Sequence, residues 1–128
     1  MAGGKGTRMG SLVVDRPKPT VLLAGKPILE HQIDLAKRYG FDDFLVLTGF
    51  RAEVLEDHFG NGSEWGVHIE YRREAFPLGT AGAVRELHGE IFDPFFVFYG
   101  DVLMDVDLPR MVAMHLSSGA SATIAVHP

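Results

Sequence analysis

Three glycines and two basic side chains fall within the first eight residues, MAGGKGTR. The chemistry that pattern suits is holding phosphate. Glycines let the backbone approach an anion closely, successive N–H groups can surround it, and the planar fork of Arg8 matches two phosphate oxygens. Two established phosphate loops do not fit. Lys5 is followed by Gly6 rather than Ser or Thr, which fails the P-loop. Gly4 and Gly6 fill the first and third places of the dinucleotide fingerprint, but Met9 stands at the sixth. The competing reading is a solvated, flexible N-terminus.

Asp101 is the second candidate. It follows the apolar run Phe95–Tyr99 and Gly100. A carboxylate at the end of a buried strand can hold a hard cation, and magnesium takes one or two carboxylates plus substrate phosphates. A plain strand-end turn is the alternative. Asp101, Asp105 and Asp107 imitate the start of a calcium loop but lack its glycine and terminal glutamate, and Asp107 before Leu108 reads as a helix N-cap. The six histidines show no paired metal spacing, and His31, His58 and His115 fall on expected helices. There is no Gly-x-Ser-x-Gly elbow; Ser117 and Ser118 precede Gly119 as at a helix end. Trp65 beside Gly66 reads as packing under a loop.

The elements that must position these residues alternate. Pro17-Lys18-Pro19 is stiff and extended. Thr20–Leu23 is a short apolar run, and Ala24-Gly25-Lys26 a turn. Pro27 suits a first helical residue. Ile28, Leu29, Ile33, Ala36 and Tyr39 recur at helical spacing until Gly40. Phe44–Thr48 reads as a strand buried on both faces. Arg51–Phe59 reads as a second helix, and Val67, Ile69 and Tyr71 alternate as a half-buried strand. Pro77-Leu78-Gly79-Thr80 is a turn, with Thr80 as cap of a helix to about Leu87. Phe95–Tyr99 is the most apolar strand, Leu108–Leu116 a helix, and Ser121–Val126 a last strand. This order predicts an α/β fold, Rossmann-like, with a mixed or parallel sheet and helices on both faces. Ligands of such a sheet lie beyond the carboxyl ends of its strands, where Gly79-Thr80 and Asp101 fall.

The 128 residues suffice for one domain with one core, and 46% hydrophobic with 23% charged is ordinary for a soluble protein. The chain has no membrane-length apolar run and no signal-peptide pattern. Zero cysteines exclude disulfides, thiolate ligands and a thiol nucleophile, and fit a cytoplasmic protein. The net charge of −5 argues against a nucleic-acid surface. Residues 1–26 nevertheless carry a net +4, leaving −9 on the remainder, which suggests a local anion site on an acidic body.

AGGKGTRMG, RPKP, GKPILEHQI, PLGTAGA and FYGDVLMDVDL follow one another along the whole chain. In that order they resemble the N-terminal part of sugar-phosphate nucleotidylyltransferases, most of all the mannose-1-phosphate and heptose-1-phosphate guanylyltransferases. The resemblance implies the nucleotide-diphospho-sugar transferase fold, truncated. It implies transfer from a nucleoside triphosphate to a sugar 1-phosphate, giving a nucleotide-sugar and pyrophosphate, with Mg2+ as cofactor. Ala2, Gly3 and Gly4 match the segment that meets the nucleoside, and Lys5, Gly6 and Thr7 continue that nucleotide-binding loop. Arg8 matches the triphosphate arginine, and Lys18 the lysine near the α-phosphate. Gly79, Thr80 and Gly82 match the turn that contacts base and ribose. Asp101 matches the metal aspartate. Gly10-Ser11-Leu12 departs from the family's arginine-proline-leucine.

In the family an apolar strand precedes the loop and about a hundred residues follow. Residues 1–128 are therefore expected to be the N-terminal nucleotide-binding part, without the first strand and the C-terminal sugar-binding half. Marginal stability, possible homo-oligomer formation and little turnover are the matching expectations. A nucleotide-sensing or assembly domain of the same fold is the alternative function. Transfer to phosphocholine or a molybdenum cofactor is a third, against which PLGTAGA speaks.

Overall fold

The computed structural model describes residues 1–2, 17–76 and 78–126. Pro17 opens a 3-10 turn, Lys18–Thr20, which leads into a small antiparallel hairpin of β1 (Leu22–Leu23) and β2 (Lys26–Pro27). Pro27 ends that hairpin and caps α1 (Ile28–Arg38); its fixed φ and missing N–H cost nothing at that position. Gly40, with φ +82°, turns the chain out of α1 toward β3 (Asp43–Thr48). Next come α2 (Ala52–Phe59), β4 (His68–Arg73), α3 (Gly79–Arg85) and α4 (Leu108–Ser118).

β3 and β4 pair in parallel from Asp43 opposite His68 to Thr48 opposite Arg73, with α2 as the crossover between them. The far side of β3 is extended by the first two residues. Ala2 forms a parallel bridge to Thr48, and its N–H donates to the Leu47 carbonyl at 2.7 Å. Met1 in turn bonds the next segment. Its amine donates to the Phe98 carbonyl at 2.8 Å, and its carbonyl accepts from the Gly100 N–H at 2.8 Å. That staggered pattern is the one parallel neighbours make. The order across the layer is thus β4, β3, Met1–Ala2, then the extended segment ending at Gly100.

Helices cover both faces. Val46, Ile69 and Ala2 pack on Leu29 and Ile33 of α1 and on Leu55 and Phe59 of α2, with Trp65 sealing the edge against Phe59. Leu47 and Met1 face the other way, onto Ala83 and Leu87. Leu108 of α4 packs with Leu35, Ala36, Phe96 and Phe98. Asp107 caps α4, accepting from the Arg110 N–H at 3.0 Å, as its position before an apolar helix predicts.

Three expectations need correcting. Phe95–Tyr99 joins no regular ladder among the described residues; Met1 bonds Phe98 and Gly100 at its end, and the Tyr99 carbonyl accepts from Gln32 Nε2 and the Val102 N–H. Between Phe95–Phe98 and β3 runs a largely apolar groove of about 620 Å³, with Met1 and Ala2 among its lining, and no described residue forms a ladder with the segment there. Ser121–Val126 likewise forms no strand, and Ile124 and Val126 are 79% and 82% exposed. An apolar run becomes a strand only where a second backbone supplies the bonds. Thr80 does not cap α3. The cap position is Leu78 and no side chain bonds it; Thr80 lies inside the first turn. No helix among the described residues is long and apolar enough to cross a membrane.

Candidate functional site

Thr48 ends β3, Arg73 ends β4, Ala2 follows Met1 and Gly100 closes the fourth extended segment. Beyond these carboxyl ends lies a cleft of about 250 Å³. Ala2, Lys18, Gly79, Thr80 and Asp101, five residues singled out in the sequence, line it together. Met1, Pro19, Glu74, Tyr99 and Gly100 complete its wall. Gly82 lies deeper in α3 and is not part of the lining; a Cβ there would sit 3.0 Å from the Leu78 Cβ, so its small size serves the packing of that turn. Gly3, Gly4, Lys5, Gly6, Thr7 and Arg8 lie outside the described residues.

Local structure explains the placement. Lys18 rides on the turn set by Pro17 and Pro19, which Thr20 locks by donating its hydroxyl to the Pro17 carbonyl at 2.8 Å. Pro17, Pro19 and Thr20 are buried, so the segment is anchored while the Lys18 side chain reaches out. Gly79 enters α3 at φ +69°, a left-handed conformation that strains any residue with a Cβ. The Glu74 N–H donates to the Thr48 carbonyl at 2.8 Å, extending the β3–β4 pairing by one bond and bringing the Glu74 side chain to the cleft wall.

Asp101 sits on a turn closed by the Val102 N–H donating to the Tyr99 carbonyl at 3.1 Å. Lys18 Nζ donates to its Oδ2 at 2.7 Å, across 83 positions of sequence. The side chains are 22% and 35% exposed, so the pair is open to solvent and to exchange of partners. An ion pair of this kind contributes roughly 0–1 kcal/mol. Either member can therefore turn to a ligand at little cost.

Met1 lines both the cleft and the groove. Burial holds the pKa of its ammonium below the ordinary α-amino range, while the carboxylates of Glu74 and then Asp101 pull it back up. Among the described residues no three His, Cys, Asp or Glu side chains converge as a ready-made metal cage.

Sequence reasoning missed Gly100, Glu74 and Gln32. Gly100 is buried, and a Cβ there would lie 2.7 Å from the Met1 carbonyl oxygen and 2.8 Å from Pro19 Cγ. Its signal was position: a glycine between an apolar run and the candidate aspartate. Gln32 is 4% exposed within the apolar stripe of α1. A lone amide at an apolar position is the kind of exception that carries information. Glu74 had no signal in its spacing.

A parallel pair with a helical crossover, helices on both faces and a polar cleft at the strand ends define an α/β domain of the class that takes ligands beyond the carboxyl ends of its strands. The nucleotidyl transferase family model matches residues 1–128, and the chain belongs to that family. It is 38% identical to the mannose-1-phosphate guanylyltransferase of Mycobacterium tuberculosis over 97% of this chain and 35% of that protein. It is 36% identical to the UTP–glucose-1-phosphate uridylyltransferase of Synechocystis, over 97% of this chain and 35% of that protein. Against the D-glycero-alpha-D-manno-heptose 1-phosphate guanylyltransferase of Aneurinibacillus thermoaerophilus the identity is 35%, over all of this chain and 56% of that one. Among solved structures, HddC from Yersinia pseudotuberculosis complexed with GMP-PN superposes with a TM-score of 0.79 at 28% identity, over 90% of this chain and 52% of that chain. The chain thus spans about a third to a half of the length of these relatives.

Proposed function

We propose that this chain carries the nucleotide-binding portion of a sugar-1-phosphate nucleotidylyltransferase that uses GTP, with a mannose-type or heptose-type sugar 1-phosphate as acceptor. The observation that carries the reading is the Lys18–Asp101 pair at 2.7 Å in one cleft with Gly79 and Thr80. A cation suited to phosphate and a carboxylate suited to a hard metal stand side by side, at the end of the sheet where such folds take nucleotides. The guanylyltransferase relatives and the GMP-PN complex favour guanine; the uridylyltransferase relative makes uracil the competitor.

The donor set fits magnesium. Asp101 offers one partly exposed carboxylate, and magnesium is held by one or two carboxylates with phosphates and water filling the rest. Bound there, the ion would neutralise triphosphate charge. Lys18 orients and stabilises the α-phosphate, while Gly79 and Thr80 form the wall against base and ribose. By the family resemblance Arg8 would hold the triphosphate, Ala2, Gly3 and Gly4 would meet the nucleoside, and Lys5, Gly6 and Thr7 continue that loop. A sugar-phosphate oxygen attacks the α-phosphorus, that P–O bond forms, and the bond to the β-phosphate breaks, releasing pyrophosphate. The nucleophile is already an anion, so neither a general base nor a covalent residue is required; rate comes from positioning and charge neutralisation.

Calorimetric titration with GTP, UTP, dTTP and CTP in magnesium tests this reading. GTP is expected to bind at least tenfold more tightly than the others, with the affinity reduced by Arg8→Ala. Preference for UTP would reassign the base, and no binding of any nucleotide would overturn the site.

A further inference from the structure

Gln32 stands in the middle of the buried face of α1, between Ile28 and Ala36 one turn to either side. Burying a primary amide is unfavourable unless its hydrogen bonds are met. The Gln32 amide meets them in one place: Nε2 donates to the Tyr99 carbonyl at 2.7 Å and to the Val102 carbonyl at 2.6 Å. These carbonyls flank Gly100 and Asp101, and the Tyr99 carbonyl is also the acceptor that closes the turn. Both partners are acceptors, so only the NH2 end of the amide can face them. One side chain on a helix packed into the core thus spans the turn that presents the Asp101 carboxylate to the cleft.

We propose that Gln32 is a positioning residue for Asp101: it clamps the Tyr99–Val102 turn from beneath and fixes where the carboxylate points. α1 is anchored by Leu29, Ile33, Leu35 and Ala36 in two apolar clusters, so the clamp is tied to the packed core. Residues that orient a metal-binding carboxylate typically matter 10–100-fold to affinity or activity. A merely structural role differs: Gln32 would then stabilise the chain as a whole without acting on the cleft. The inference deepens the proposed function, and only its affinity arm rests on that reading.

Two measurements on the full 128-residue chain decide it. Gln32→Glu keeps the size of the side chain but sets oxygens against two carbonyls; Gln32→Leu serves if that variant does not fold. The first measurement is amide hydrogen exchange by NMR. Exchange at Val102 is expected to rise at least tenfold while the β3–β4 ladder amides hold their rates; an equal rise throughout would reduce Gln32 to a general stabiliser and overturn the proposal. The second is the magnesium-dependent part of GTP affinity. It is expected to fall 10–100-fold, with no further loss when Gln32→Glu is added to Asp101→Asn. Independent, additive losses would contradict the clamp. If the parent chain binds no nucleotide, the functional reading fails and hydrogen exchange alone decides the role of Gln32.

Discussion

Replacing Gly100 with alanine places one methyl group where three chain segments meet. The added Cβ would lie 2.7 Å from the Met1 carbonyl oxygen, 2.8 Å from Pro19 Cγ and 3.4 Å from the Ala2 Cα. Carbon–carbon contacts are comfortable near 3.5–4.0 Å, so the methyl overlaps its closest neighbours by most of an ångström. Neither neighbour can rotate away, one being backbone and the other a proline ring. Relief must come from moving Met1–Ala2, the Pro17–Thr20 turn or the Asp101 turn. The first movement breaks the Gly100–Met1 hydrogen bond, and the other two separate Lys18 from Asp101. Overpacking of this kind costs about 1–3 kcal/mol. The reduced freedom of the unfolded chain gives back at most about 1 kcal/mol. A net loss of about 1–2 kcal/mol would lower Tm by roughly 3–12 °C in a chain of this size. Thermal unfolding followed by circular dichroism reads the first effect, and GTP calorimetry below the transition reads the second, a loss of at least tenfold. Unchanged Tm and unchanged affinity would refute the packing reasoning, because no side chain is available to absorb the clash.

The exposed Lys18–Asp101 pair predicts a contrast with Gly100. Lys18→Met should shift Tm by no more than a few degrees, since the pair is worth under about 1 kcal/mol, yet weaken GTP at least tenfold; a large loss of stability would show the pair to be structural. The Met1 amine has its folded pKa lowered by burial, so the unfolded chain binds more protons as pH falls. Stability should therefore rise as pH increases toward about 8, the ordinary α-amino range, and level off above it. N-terminal acetylation should abolish that part of the dependence in denaturant titrations, and a pH response unchanged by acetylation would contradict the buried charge. Met114, Leu116, Ile124 and Val126 are 56%, 64%, 79% and 82% exposed, and apolar side chains left this open to water favour association. Concentration-dependent sedimentation is expected, and a double Ile124→Ser, Val126→Ser variant should weaken it; a monomer at all concentrations would count against this.

What could be read from the sequence divides by how local the physics is. The Asp107 cap, the helical period of α1 and the strand at 44–48 depend on residues within a turn or two and are legible, although Pro27 caps α1 instead of opening it. The cleft was partly so. Lys18 and Asp101 were chosen from ordered motifs, but no spacing rule brings together residues 83 positions apart; the parallel arrangement at Met1–Ala2 does that. Phe95–Tyr99 and Ser121–Val126 look like strands in sequence because apolar patterning reports burial, whereas a ladder needs a neighbouring backbone. Gly100 and Gln32 escaped notice because their roles are contacts with atoms from other segments. In α1 the helical period was plain, and the one amide on its buried face was passed over.

The most direct test of the account is GTP affinity measured by calorimetry in four conditions: the parent chain and Asp101→Asn, each with magnesium and with a chelator. If Asp101 holds the ion that bridges to the triphosphate, removing the metal and removing the carboxylate are two ways of breaking one interaction. Each should weaken binding at least tenfold, and the two together should cost no more than either alone. Binding indifferent to magnesium, or losses that simply add, would contradict a metal–triphosphate site at Asp101.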